Sequence, residues 1–224
     1  MAQNACRSST VRRVCVVCEG QTEVEFIKSC VAPYLYTENY SIYPSIIQAP
    51  SGRHRGGRVT VERLVDFMRH QYHEADRITT FVDFYGFQDA NGRTAAQLEN
   101  DILAGLIARG KNINSHFVSP YVQLHEFEAL LFSDIEKFEY VLDGWSNETR
   151  QALNAICMQF SNPEKINNHP STAPSKRILQ TFPQGTYSKT EHGPIIAEEI
   201  GIDVIRRQCP GFNQWLDKLE SWRI

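Results

Sequence analysis

The feature that most constrains the fold is a run of five apolar residues, Val14 to Cys18 (VCVVC), followed by Glu19, Gly20 and an acidic, helix-favouring segment. A short continuous apolar run is typical of a strand that is buried on both faces, as in a parallel sheet. Glu19 then lies at the carboxyl end of that strand, where open α/β sheets usually bind ligands. It is therefore either a site residue or a surface charge of a loop.

Strand-like and helix-like segments alternate through the first part of the chain. Helical spacing follows the first strand, with Pro33 in the way of a single uninterrupted helix, and Ser41–Gln48 is a plausible second strand. Thr60 is a suitable N-cap for the next helix, Arg77–Gly86 is a third strand, and Gly110 ends another helix. A further strand, INSHFVSPYVQL, runs into HEFEALLF. This alternation predicts βαβ units and a mainly parallel sheet.

Beyond Ser133 the pattern becomes helical and irregular. We therefore expect an α/β domain over residues 1–133, with a helical C-terminal extension over residues 134–224 packed on it. A chain of 224 residues, 42% of them hydrophobic, is long enough for this arrangement.

The composition bounds the cellular setting. No apolar segment precedes the first strand and no run of about 18 apolar residues occurs, which indicates a cytoplasmic protein without a membrane partner. The six scattered cysteines suit reduced thiols. Cys15 and Cys18 form a C-x-x-C, but strand residues three apart point to opposite faces, so we expect core cysteines and not a zinc site. The formal net charge of -3 restricts any nucleic-acid contact to a local basic patch.

Four acids fall at or just beyond the ends of predicted strands: Glu19, Asp83, Glu126 and Glu128. Parallel topology would gather them at one rim of the sheet. Grouped carboxylates suit Mg²⁺ or Mn²⁺ and leave room for phosphate oxygens. The alternative is that each acid caps a helix or faces solvent.

The segment HEFEALLF is similar at first sight to a zinc-protease helix. It lacks the second histidine, because Ala129 occupies the position four residues after His125. The alternative is an amphipathic helix that buries Phe127 and carries a surface pair of His125 and Glu128.

Cations form the last candidate group. Arg53, Arg55 and Arg58 lie in a glycine-rich loop and could reach phosphates, or the loop could be merely solvated. Lys176 and Lys189 stand near predicted helix starts, where they oppose the helix dipole. That position indicates an anion to be held.

Together, the segments CEGQTEVEFI, FVDFYGF, HEFEALLFSD, PSKRI, YSKTEHG and IGIDVIRRQCPGFNQWLDKLE resemble a bacterial family, domain of unknown function 4276, whose first half is Toprim-like. Toprim domains are α/β units in which a Glu after the first strand and an Asp-x-Asp after a later one act with Mg²⁺ on phosphodiesters. Glu19 matches the Glu and Asp83 the first Asp. Tyr85 stands where the second Asp belongs, and Asp89 is the nearest later acid.

The resemblance implies a Toprim-like α/β fold and a Mg²⁺- or Mn²⁺-dependent nuclease in antiviral defence, with an AAA or ABC/SMC-like ATPase as partner. Glu19 and Asp83 would position the ion, and Glu126 or Glu128 would be the third ligand or the base. The predicted contacts to the nucleic-acid backbone are Arg53, Arg55, Arg58, Lys176 and Lys189. The alternative is a non-catalytic subunit that binds and regulates an ATPase, which the missing second Asp favours.

Overall fold

The structure, a computed structural model, describes residues 11–47, 59–110, 112–166 and 169–223. Its strands run in one sheet and are β1 (Arg12–Cys18), β2 (Tyr40–Ile46), β3 (Arg77–Asp83), β4 (Val118–Ser119) and β5 (Val122–Gln123). The order is β2-β1-β3-β4, with β5 also pairing with β3, and every pairing is parallel. The predicted α/β class with a mainly parallel sheet is confirmed.

Two prolines, one within a strand and one between two strands, lie at positions where the sheet tolerates them. Pro44 lies in β2 at the edge of the sheet, as expected for a residue without an N–H to donate. Pro120 separates β4 from β5. Across that break the hydroxyl of Thr80 accepts from the Tyr121 N–H at 2.8 Å and donates to the Tyr121 carbonyl at 2.6 Å. The side chain thus replaces the missing ladder bonds, and the sheet continues into β5.

The helices flank this sheet. They are α1 (Gln21–Phe26), α2 (Ala32–Leu35), α3 (Val61–Gln71), α4 (Ala95–Arg109), α5 (Asn147–Cys157), α6 (Pro174–Thr181), α7 (Lys189–Ile200), α8 (Ile202–Gln208) and α9 (Pro210–Ser221). Thr60 caps α3 by accepting the Arg63 N–H at 3.2 Å, and Gly110 follows the last residue of α4. Both predicted helix boundaries are confirmed.

The predicted interruption before Pro33 takes a specific form. Residues Ile27–Val31 form a π-helical turn between α1 and α2, and the Ala32 N–H donates to the Ile27 carbonyl, five residues back. A single π turn inside a helix is rare and shifts the hydrogen-bond register. The chain therefore stays helical on both sides of the turn although Pro33 has no N–H to offer.

The two faces of the sheet bury separate apolar clusters. Cys15 and Val17 of β1 pack with α3 and α4 on one face. Val14, Val16 and Cys18 point to the other face, which is covered by α1, α2 and the C-terminal helices. Because alternate residues of β1 are buried on opposite sides, the continuous apolar run of the sequence has a direct explanation. Cys15 and Cys18 are core residues on opposite faces, as predicted.

Residues of the C-terminal part complete the second face. Trp215 of α9 packs its ring 5.3 Å from Phe81 of β3 and 5.2 Å from Tyr121. The Trp215 indole N–H donates to the Thr79 hydroxyl at 2.9 Å, so the buried polar edge of the ring is satisfied. The C-terminal helices thus share a core with the sheet. The boundary expected at residue 133 stays a prediction.

A bilayer-spanning helix has to be long and almost wholly apolar. None of the helices in the described part of the chain meets both conditions.

Burial of the cysteines predicts their reactivity. Burial raises the pKa of Cys15 to about 12 and the pKa of Cys18 well above its ordinary value, and both side chains are fully buried. Cys157 is only partly buried. At pH 8 we expect iodoacetamide to modify Cys157 well before Cys15 or Cys18, because alkylation needs an accessible thiolate. Peptide mass spectrometry over a time course measures this, with protein in denaturant as the control. Equal rates in the native protein would contradict the described core.

Candidate functional site: a buried carboxylate cluster

The site begins with Asp83, the last residue of β3. Its Oδ1 accepts the backbone N–H of Phe127 at 2.8 Å. Phe127 follows β5 and stands between Glu126 and Glu128 in the chain. This bond therefore brings the predicted acids of two separate segments to the same edge of the sheet.

Glu19 reaches the same place from β1. A Cβ atom on Gly86 would come within 2.1 Å of Glu19 Oε2, so the carboxylate lies directly against the turn that follows Asp83. Residue 86 has to be glycine for the carboxylate to remain where it is. Glu19 Oε2 is itself buried and has no hydrogen-bond partner.

Glu23 is a fifth member of the cluster that the sequence reasoning missed. It lies in the first turn of α1, is 8% exposed, and its Oε2 accepts the Gly20 N–H at 2.9 Å. Among neighbouring charges, Glu23 contributes most to raising the pKa of both Glu19 and Asp83. The signal in the sequence is the spacing: Glu23 follows Glu19 by one helical turn in a segment that must start a helix at the sheet's edge.

Segments beyond residue 133 hold the remaining two acids. Glu126 Oε2 accepts the Ser175 N–H at the start of α6, at 2.9 Å. Glu128, 3% exposed, forms an ion pair with Lys189 at 3.1 Å. Lys189 is the first residue of α7, where a cation opposes the helix dipole. The anion that its position indicates is thus the Glu128 carboxylate.

The pKa values of four of the acids are raised because like charges lie close together and are partly removed from water. The pKa of Asp83 is raised well above its ordinary value by burial and then by Glu23, Glu128, Glu19 and Glu126. Burial and the charge of Glu23 raise the pKa of Glu19 to about 7. Burial also raises the pKa values of Glu23 and Glu128. Such a cluster binds protons or cations more readily than separate carboxylates do.

Lys189 meets the cluster at Glu128, with which it pairs. Burial lowers its pKa, but the Glu128 and Glu126 carboxylates outweigh that effect and the net pKa of Lys189 is raised. The charge of Arg63, on α3, lowers the pKa of Glu19. The acids are therefore flanked by positive charge on two elements.

The donor set fits a hard divalent cation, since oxygen ligands are what Mg²⁺ and Mn²⁺ take. The buried, unpartnered Glu19 Oε2 is an atom that such an ion would satisfy. As the side chains stand in the described residues, no three His, Cys, Asp or Glu groups are arranged to hold a metal ion. The expectation that Glu19, Asp83 and Glu126 share Mg²⁺ or Mn²⁺ stays a prediction.

Other predicted residues lie elsewhere. Asp89 accepts the Val61 N–H and pairs with Arg93, so its bonds are those of a helix cap. Lys176 is exposed on α6. Arg53, Arg55 and Arg58 lie outside the described residues.

The interpretation of HEFEALLF as an amphipathic helix with a surface His–Glu pair is wrong. Phe127–Ser133 is a 3₁₀ helix, His125 precedes it, and Glu128 is buried against Lys189. Burial of this acid was not visible in the sequence because its partner comes from α7.

The fold and the cluster define an α/β protein with a carboxylate site at the carboxyl edge of a parallel sheet. The chain belongs to the family described as domain of unknown function DUF4276, which it matches over residues 18–220. The predicted family is confirmed. No curated protein and no solved structure matches the chain.

The raised pKa of Glu19 predicts how stability depends on pH. The unfolded chain loses this proton near pH 4.5, whereas the folded protein keeps it up to about pH 7. The stability that protonated Glu19 contributes is therefore complete below pH 4.5 and is lost as the pH rises through 7. At pH 8 we expect Glu19→Gln to have a larger free energy of unfolding than the wild type, by on the order of 2 kcal/mol, and so to unfold at a higher denaturant concentration. The difference should vanish near pH 4.5.

Glu25→Gln is the matched control for this measurement. Glu25 lies on α1, the helix that follows Glu19, and forms an exposed pair with Lys28. Exposed pairs contribute little, so this variant should follow the wild type at both pH values. A Glu19→Gln variant that is no more stable than the wild type at pH 8 would contradict the described burial.

Proposed function

We propose that this protein is a Mg²⁺- or Mn²⁺-dependent phosphodiesterase that hydrolyses nucleic acid. The observation that carries the proposal is the convergence of Glu19, Glu23, Asp83, Glu126 and Glu128 at one edge of the sheet. Burying like charges together is unfavourable for folding unless a proton or cation neutralises them, so such clusters mark functional sites.

The arrangement of charges suits a phosphate substrate. Lys189 pairs with Glu128, and the charge of Arg63 also acts on the acids. A phosphodiester needs positive groups for its non-bridging oxygens beside the groups that hold a metal. Lys189 is a substrate contact in this proposal, as expected from the sequence, and Arg63 is added by the structure.

The residues divide into roles according to their surroundings. Glu19 and Asp83 would hold the ion, with Glu23 as a further ligand, which leaves Glu126 free to act as the base. A bound Mg²⁺ would polarise the scissile phosphate and lower the pKa of the attacking water. Glu128 is committed to its ion pair with Lys189 and keeps that lysine directed at the cluster.

Glu126 is the better base of the two candidates because it is only partly buried and one of its oxygens is already oriented by the Ser175 N–H. In the proposed step the water oxygen bonds to phosphorus, the bond from phosphorus to the leaving oxygen breaks, and the water proton passes to the Glu126 carboxylate.

Association with an AAA or ABC/SMC-like ATPase in antiviral defence remains part of the proposal and rests on the family resemblance. A second candidate function, a non-catalytic subunit that regulates such an ATPase, is favoured by two observations. Tyr85 replaces the second Asp of the Toprim pattern, and Lys189 already neutralises one acid of the cluster.

The test of hydrolysis is a cleavage assay on labelled single- and double-stranded DNA and RNA, with Mg²⁺, with Mn²⁺ and with chelator. We expect cleavage with a metal ion only. Glu19→Gln and Asp83→Asn should each lower the rate by about 100-fold or more, because each removes a charge that the ion requires. Glu25→Gln, on the exposed face of the same helix as Glu23, should cleave as the wild type does.

Gly86→Ala is a second, independent variant. Its methyl group would collide with the Glu19 carboxylate, and so should reproduce the loss of activity without changing any acid. If the wild type cleaves no substrate with either metal ion, alone or with an ATPase, while Glu19→Gln still binds and regulates that ATPase, hydrolysis is refuted and the regulatory function replaces it.

A further inference from the structure

Three aromatic rings line the edge of the sheet beside the carboxylates. Phe84 and Tyr85 belong to the turn after Asp83, with ring centroids 6.0 Å apart, and His125 lies stacked on Tyr85 at 5.3 Å with 28° between the planes. All three residues are partly exposed. Phe84 packs against the apolar cluster of α3 and α4, whereas the paired rings of Tyr85 and His125 are partly exposed next to the proposed catalytic groups.

The backbone fixes the Tyr85–His125 pair in place. His125 has a φ of 67°, a left-handed conformation that is uncommon for any residue with a side chain. The Tyr85 N–H donates to the His125 carbonyl at 3.1 Å, which ties the two turns together. Strained residues held by their surroundings concentrate at functional sites. The unusual backbone of His125 thus accompanies a preformed stack of the two rings.

The chemistry of the pair suits stacking. One face of the His125 imidazole already lies stacked on the Tyr85 ring. Its Nδ1 is buried without a hydrogen-bond partner. Lys165 supplies a cation close to the rings. Sites that bind unpaired nucleotides combine aromatic rings, on which bases stack, with cations that contact the backbone.

The pair is also joined directly to the carboxylate cluster. His125 precedes Glu126, and Tyr85 lies between Asp83 and the glycine that touches Glu19. A base on the rings would therefore be within a nucleotide or so of the acids.

We infer that Tyr85 and His125 form a stacking platform for an unpaired base, and that the substrate of the site is single-stranded nucleic acid. This inference rests on the proposed function and narrows its substrate class. A base inside a duplex has neighbours on both faces and cannot stack on the platform without leaving the helix. Residue 85 therefore contributes an aromatic surface where the Toprim pattern has an acid.

Binding is measured by fluorescence anisotropy with the wild-type protein in chelator, where no hydrolysis intervenes. The probes are a labelled single-stranded DNA, its RNA equivalent, the blunt DNA duplex, and an abasic DNA strand with the same number of phosphates. We expect tighter binding to the single strands than to the duplex or the abasic strand. Tyr85→Leu should weaken binding of the base-containing strands by about tenfold, and leave the abasic strand unaffected.

His125→Gly is the second variant, and it is designed to fold. Glycine adopts a positive φ readily, so the backbone of the turn should be retained while the ring is lost. His125→Gly should weaken binding of the base-containing strands as Tyr85→Leu does. Its melting temperature should stay within a few degrees of that of the wild type. Tyr36→Leu is the control, because Tyr36 follows α2 and is 66% exposed. Lys165→Gln should weaken the binding of base-containing and abasic strands alike, because the lysine would contact phosphates and not bases.

The platform is refuted if Tyr85→Leu and His125→Gly bind single strands as the wild type does, if the duplex binds as tightly as the single strands, or if no probe binds. Binding with the expected pattern but no hydrolysis in Mg²⁺ or Mn²⁺ would refute the proposed chemistry and leave the platform standing. Hydrolysis together with binding that does not depend on the two rings would refute the platform and leave the proposed chemistry standing.

Discussion

The hydrogen bond from the Phe127 N–H to Asp83 is the interaction on which the site depends. It joins the end of β3 to the turn after β5, and the acids on either side of Phe127 take their places from it. The bond also gives the buried Asp83 carboxyl one strong partner in surroundings where an unpaired charge would be very unfavourable. Short strands make this connection necessary, because β4 and β5 each contribute only two residues to the sheet.

The cluster is unfavourable for the folded state, and the apolar core offsets it. The crowding of five acids is offset by Lys189 and by hydrogen bonds from the backbone N–H groups of Gly20, Phe127 and Ser175. The aromatic residues around Phe81 and Trp215 pack on the strand that ends at Asp83 and bury large apolar surface. The acids thus stand at the end of a strand that is anchored in the apolar core.

The sheet and the positions of Glu19 and Asp83 could be predicted because they are local properties: a buried strand reads as an apolar run, and its next residue must lie at the edge. Glu23 was within reach of the same reasoning, from its spacing of one helical turn. The ion pair of Glu128 with Lys189, and the bond of Ser175 to Glu126, depend on how the irregular C-terminal half folds back. No periodicity encodes that, because the partners meet only through tertiary packing. Similarly, the positive φ of His125 accompanies its hydrogen bond with Tyr85. The sequence gives no sign of it, because the residue at that position is not a glycine.

The ion pair between Glu128 and Lys189 has a consequence for biosynthesis. Its partners are contributed by the middle of the chain and by the start of α7, and the sheet face behind them is closed by α9. While the protein is being translated, the first strands and their acids leave the ribosome long before the lysine that balances them. A polypeptide terminated between residues 128 and 189 therefore carries all five acids but lacks the lysine that pairs with Glu128.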